Sequence, residues 1–221
     1  MQFEGTIPFA MLAPLLRRYA EPHRRYHTWD HIAACFQALG KLADAPPHYA
    51  AVSVAPKLPH LGSCAVSLAI LYHDAIYDPM ASDNEEKSAL LLLEERGKYV
   101  APSDRDIRAA AYAIRLTKYS APPEALLTSA PPDGDKTAAI LHDVDLSILG
   151  SPPETYAAFE RFIQLEYPSV PAGKYFRARK LILQSFLDRP SIYQLPAAKR
   201  LWEDAARENL AHWIKVFDAY G

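Results

Sequence analysis

The sequence predicts an all-α fold, organised as a single helical domain over residues 1–221. Three observations carry that expectation. Apolar residues recur at the i, i+3, i+4, i+7 spacing of a buried helix face, as at Leu210, Trp213, Ile214 and Phe217. Ser, Pro and Gly stand at the ends of such segments, where helices start and stop. No segment shows the apolar-polar alternation of a half-buried strand: Val52 to Val54 comes nearest, but it is short and lies among prolines.

The elements follow in order. Residues 7–19 carry Ile7, Leu12, Leu15 and Leu16, the pattern of a short amphipathic helix. A second helix is expected from near Thr28 to about Ala43, ended by Asp44-Ala45-Pro46-Pro47. Residues 44–60 hold four prolines and read as a loop insertion. Ser63 can cap the next helix, which runs through Ala65, Val66, Leu68, Ala69, Ile70 and Leu71 to Tyr72-His73-Asp74. That helix is apolar almost all round, so it belongs at the centre of the fold.

A further helix covers roughly 83–97, with Gly97 as its stop. Pro102-Ser103 opens another, with Ile107, Ala110, Ala111 and Ile114 on one face. Residues 120–135 form a second Pro-rich loop. A helix from about Lys136 then carries Leu141-His142-Asp143-Val144-Asp145. Ser151-Pro152-Pro153-Glu154 reads as a Ser cap with Pro in the first helical turn. Helices near 153–166, 173–188 and 196–219 complete the chain.

Half of the 221 residues are apolar, enough for one sizeable core. The formal net charge of -2 lacks the strongly basic balance of a nucleic-acid binder. Cys35 and Cys64 have no paired spacing, which argues against a disulfide framework or a Cys-rich zinc site and reads as two small buried residues. The N-terminal apolar run has Glu4 before it and Pro8 and Pro14 within it, unlike a signal peptide. No stretch approaches the roughly 20 apolar residues of a membrane span, so the expected location is cytoplasmic.

Eight histidines are present. Singly, each suits a surface or a core position, so context decides. The strongest context is Ala69-Ile70-Leu71-Tyr72-His73-Asp74, where an adjacent His and Asp end an otherwise apolar helix. Burying both is costly unless a charge compensates, and a divalent cation does so directly. Adjacent residues point about 100° apart, so joint ligation is easiest at an irregular helix end. Alternatively, Asp74 simply terminates the helix. The second context is Arg24-Arg25-Tyr26-His27-Thr28-Trp29-Asp30-His31-Ile32, in which His27 and His31 are four apart and either can point inward. The third is His142-Asp143-Val144-Asp145, two acids in an apolar run that call for a metal, a cationic partner or a helix end.

A His near position 27, then His73-Asp74, then Asp145, in an all-helical chain, resembles the H…HD…D signature of the HD superfamily of metal-dependent phosphohydrolases. The strings YHTWDHI, YHDAIYDP, DNEEKSA and DVDLSILG are similar to those of one branch of predicted HD phosphohydrolases. With NLAHW near the C-terminus, the similarity covers most of the chain. The resemblance implies a metal held by His27, His73, Asp74 and Asp145. His27 is the first ligand because His27-Thr28 is similar to the family's His followed by Ser or Thr, with His31 as its competitor. Asp145 is the last ligand because Val-Asp-Leu resembles that context, with Asp143 as its competitor. Lys118-Tyr119 stands where some binuclear members have further histidines, which favours a single ion.

The implied activity is hydrolysis of a nucleotide or another small phosphoester by water activated on the metal. Asp74 or Asp143 would take the water's proton, His31 would protonate the leaving group, and Lys118, Arg177 or Arg179 would touch phosphate. Glu85 and Asp78 could line the same mouth. Carboxylate and imidazole together suit manganese, iron, cobalt, nickel or zinc, and magnesium is a further possibility. Two other readings belong to different classes. A di-iron oxygenase of the HD type needs additional ligands, for which His31 and His142 are the spare histidines. A non-catalytic protein would use the same residues to bind metal or nucleotide.

Overall fold

The computed structural model describes residues 9–44, 63–96, 102–119 and 135–220. Among them the fold is helical throughout, with no strand. The helices are α1 (Phe9–Tyr19), α2 (Trp29–Asp44), α3 (Cys64–Tyr72), α4 (Asn84–Glu94), α5 (Asp104–Arg115), α6 (Thr137–Asp145), α7 (Pro153–Leu165), α8 (Ala172–Leu187) and α9 (Pro196–Tyr220). A short 3-10 segment, Leu146–Gly150, continues α6. Of the expected loops only the flanks Asp44 and Asp135 are described; the rest of 44–60 and 120–135, and Gly97, lie outside the described residues. None of the described helices is long and apolar enough to cross a membrane.

The apolar run of α3 does what its composition dictates. Ser63 caps it, accepting the Val66 N–H on Oγ. Val66, Leu68, Ala69, Ile70 and Tyr72 have no exposure, and α3 packs on α2, α4, α5 and α6. The element that delivers the site is therefore held from several directions, and its C-terminal end is fixed in depth. Ser103 caps α5 in the same way, through the Asp106 N–H.

The start of α7 departs from expectation. Pro152, not Ser151, takes the cap position, and Pro153 is the first helical residue. The Ser151 hydroxyl is buried without a partner, while its carbonyl accepts from Asn209. The backbone just before α7 is held against α9 here. Asn209 Nδ2 donates to the carbonyls of Leu149 and Ser151 at 2.8 and 2.9 Å. Gly150 lies so close to α9 that a Cβ would stand 2.6 Å from that of Trp202.

Candidate metal centre

Three helix ends meet at one point. His31 lies in the first turn of α2, His73 caps the C-terminus of α3 with Asp74 next to it, and Asp145 is the last residue of α6. His31 Nε2 and His73 Nε2 are 3.1 Å apart. Asp74 Oδ2 lies 3.1 Å from His73 Nε2 and 3.6 Å from His31 Nε2. Asp145 Oδ1 lies 3.2 Å from His31 Nε2 and 3.5 Å from His73 Nε2. The two imidazoles thus turn the same nitrogen toward the same pair of carboxylates.

Hydrogen bonds elsewhere fix that orientation. His73 Nδ1 lies 2.9 Å from the Ile70 carbonyl, which can only accept, so Nδ1 carries the hydrogen. In neutral His73 the Nε2 lone pair then faces the group. The Tyr119 hydroxyl donates to Asp145 Oδ2 at 2.7 Å, leaving Oδ1 for the histidines. Arg24, fully buried at its side chain, donates to the carbonyls of His27, Asp74 and Ala75 at 3.0, 2.8 and 3.2 Å. It ties the turn before α2 to the end of α3.

The electrostatics favour positive charge at this point. Burial alone would lower the His73 pKa, but the Asp74 and Asp145 carboxylates outweigh it and hold the imidazole well above its ordinary value. Burial alone would raise both carboxyls. His73, followed by His27 and His31, carries Asp74 well below the usual carboxylate range, and His73 with His31 does the same to Asp145.

Donors bound to one cation at about 2.1 Å stand roughly 3.0–3.4 Å from one another, close to the spacings found here. Cys35 is the other atom within reach: its Sγ, with donor atoms of His31, His73 and Asp145, forms a buried group that could hold a metal ion. Its Sγ sits 3.8 Å from His31 Nε2 and 3.9 Å from Nδ1. Burial, then the charges of Asp145 and Asp74, push its thiol up; a bound cation would act the other way and favour the thiolate. Asp74 Oδ2, 3.1 Å from His73 Nε2 and 3.6 Å from His31 Nε2, stands beside the same two nitrogens.

No family model, curated protein or solved structure matches the chain. The functional argument therefore rests on the chemistry of this group.

Several residues singled out in the sequence lie elsewhere. His27, expected as the first ligand, is not one of the four converging side chains; His31 is. His27 precedes α2, with Nδ1 2.6 Å from Glu166 Oε2 and its ring stacked on Tyr77 at 4.1 Å. Burial would lower its pKa, but Asp74 and the bond to Glu166 raise it. Asp143 is turned away from the group. Its carboxylate accepts from the Gln194 and Leu195 N–H groups at 2.8 and 2.7 Å and from His142 Nδ1 at 2.9 Å. It is a buried anchor for the start of α9 rather than a free base, and it holds His142 as well. Lys118 donates its ammonium to the Ser82 carbonyl. Arg179 pairs with buried Glu160 through two bonds of 2.8 and 2.9 Å, and Arg177 is exposed. Asp78 is exposed and caps its own turn through the Met80 N–H.

Two cavities reach the group. One, of about 310 Å³, is lined by His27, Asp74, Tyr77, Glu85, Tyr119 and Asp145 among others. The second, of about 540 Å³, is lined by Arg25, His31, Cys35, Lys41, Asp145 and Trp202 among others. Tyr26, Ile148 and Phe159 line both, and the Tyr26 and Phe159 rings meet edge-on at 4.6 Å. Glu166, Tyr77, Tyr119 and Cys35 were not singled out from sequence as site residues. Only Cys35 carries a signal that could have found it: it follows His31 by four residues on one helix.

Proposed function

We propose that this chain is a metal-dependent phosphohydrolase of the HD type, acting on a nucleotide or another small phosphoester. The observation that supports it best is that Asp74 Oδ2 and Asp145 Oδ1 both lie 3.1–3.6 Å from His31 Nε2 and His73 Nε2, which are themselves 3.1 Å apart. Two neutral nitrogens and two carboxylates suit a first-row divalent cation such as manganese, iron, cobalt, nickel or zinc, or magnesium. Bound there, such a cation would supply Lewis acidity, making a water more acidic and neutralising phosphate oxygens.

The chain's own residues would do the rest. Asp74 and Asp145 supply the charge that retains the cation, and each also lines the 310 Å³ cavity, where a phosphate would sit. Tyr119 keeps Asp145 in its rotamer. Asp74, which stands beside the two histidines and lines the cavity, is the acceptor for the attacking water's proton. Tyr26 and Phe159 wall the cavity and limit water around the reacting atoms. Lys118 contributes less, because phosphate contact requires exchange of its bond to Ser82.

The test is a metal-reconstituted assay over mononucleotides, dinucleotides and simple phosphoesters, with Asp74→Ala run alongside. Hydrolysis by the wild type that is lost in the variant supports the reading. Hydrolysis that survives unchanged assigns the activity to another site. A metal-loaded protein that hydrolyses none of the panel transfers the weight to a binding protein or an oxygenase.

A further inference from the structure

With His31 among the four converging donors, protonation of the leaving group needs another residue. His27 lines the same 310 Å³ cavity as Asp74 and Asp145, and its ring centre lies 6.0 Å from that of His31. Glu166 holds it from behind. Glu166 Oε1 accepts the backbone N–H groups of Arg25, Tyr26 and His27 at 2.7, 2.8 and 3.0 Å. Its Oε2 accepts the Tyr77 hydroxyl at 2.8 Å and meets His27 Nδ1 at 2.6 Å. A carboxylate surrounded by that many donors is an acceptor on both oxygens, so His27 Nδ1 carries a hydrogen. Nε2 is then the ring nitrogen open to a molecule in the cavity. Tyr77, stacked on the ring and bonded to the same carboxylate, fixes the ring plane.

We propose that Glu166 positions His27 so that Nε2–H gives its proton to the leaving oxygen of a phosphoester in the 310 Å³ cavity. This rests on the phosphohydrolase reading. The oxygen of water forms a new bond to phosphorus, and the ester P–O bond breaks with its electron pair passing to the leaving oxygen. That oxygen takes the proton from His27 Nε2 and departs as an alcohol. The proton lost by the attacking water passes to Asp74 and from there through solvent, and a proton from solvent restores His27. Glu166 touches no substrate and is a positioning residue; His27 is the catalytic one. A histidine held from behind by a carboxylate in the wall of a cavity is a recurrent arrangement for general acid–base work.

The experiment uses the full chain loaded with manganous ion, and two substrates of similar shape: phenyl phosphate, with a poor leaving group, and p-nitrophenyl phosphate, with a good one. His27→Gln is expected to lose roughly 10²-fold or more in kcat on phenyl phosphate and less than about tenfold on p-nitrophenyl phosphate, because a stable phenolate leaves without a proton. Glu166→Gln, which keeps an oxygen for the backbone amides, should show the same selectivity to a smaller degree. Both variants should retain the manganese content of the wild type, measured by elemental analysis, whereas His31→Ala should lose it. Equal losses on both substrates would overturn the proposal, because a purely structural residue does not sense the leaving group. Loss of manganese from His27→Gln would also overturn it and make His27 a ligand. If manganese-loaded wild type hydrolyses neither ester nor any nucleotide of the panel, the phosphohydrolase reading itself fails and the proposal falls with it; if wild type is active and the variants show no selectivity for the poorer leaving group, only the proposal fails.

Discussion

His31 Nε2 and His73 Nε2 face each other at 3.1 Å across 42 positions of sequence, each turned toward the carboxylates of Asp74 and Asp145. Two imidazole nitrogens at that distance repel unless a proton or a cation lies between them. The arrangement puts His31, rather than His27, among the converging side chains, and the proposed cation site rests on it. His31→Ala should weaken divalent-cation affinity by roughly a hundredfold or more, while His27→Gln, whose ring bonds to Glu166, should change it less than about tenfold. Isothermal titration with manganous ion measures both.

Asp143 should behave as a structural residue. Removing its carboxylate leaves the buried Leu195 N–H and the part-buried Gln194 N–H without their acceptor. Asp143→Ala should therefore cost about 2–4 kcal/mol of stability. Cation affinity should stay within a factor of about three of wild type. Denaturant unfolding paired with the same titration tests this; a large loss of affinity in folded protein would return Asp143 to the site.

Gly150 should tolerate no side chain. An added Cβ would meet the Cβ, carbonyl oxygen and Cα of Trp202 at 2.6, 2.7 and 2.8 Å, so a stretch of α9 backbone must move. Gly150→Ala should destabilise by about 1–3 kcal/mol, seen as a lower Tm. An unchanged melting curve would mean that the close approach of the 3-10 segment to α9 is absent in solution.

Glu166 predicts an acid limb to stability. Burial would raise its pKa, but the hydrogen bond and charge of His27, with the backbone N–H groups of Arg25 and His27, lower it from 4.5 to about 2. Because the folded value is the lower one, its contribution is complete above about pH 4.5 and fades as pH falls toward 2. Glu166→Gln should flatten that part of the stability–pH curve while leaving the rest of the acid limb in place. A curve between pH 5 and 2 identical to wild type would refute it.

The readable parts of the site were those fixed by local pattern. The apolar run of α3 forced burial, and the His-Asp pair at its end pointed either to a compensating cation or to a simple helix end. Asp143 and Asp145 were both visible but not distinguishable by composition. Two positions on a helix differ by about 200° of rotation, so only one can face the group, and which one depends on how α6 is rolled against α3. The choice between His27 and His31 turned on where α2 begins. Four-residue spacing puts both on one face only if the helix includes both, and α2 starts at Trp29, after His27. Boundaries of one or two residues are the least legible feature of a sequence. Glu166 was invisible for a different reason: it reaches His27 across 139 residues from the end of α7, and an isolated Glu there reads as solvated.

Arg24 gives the centre a mechanical character. Its guanidinium spans the turn before α2 and the residues after α3, with the rings of Tyr19 and Tyr77 within 5.2 and 5.4 Å of it. Neither segment can open without stripping carbonyls from a buried cation, so the two should come apart together in one cooperative event rather than fray separately. The ordering cost of the donor group is then met during folding, and an arriving ion or substrate encounters a rigid receptor instead of assembling one. Amide hydrogens around Asp74 and Ala75 should consequently exchange on the timescale of whole-domain unfolding, although these residues sit in an irregular stretch between two helices.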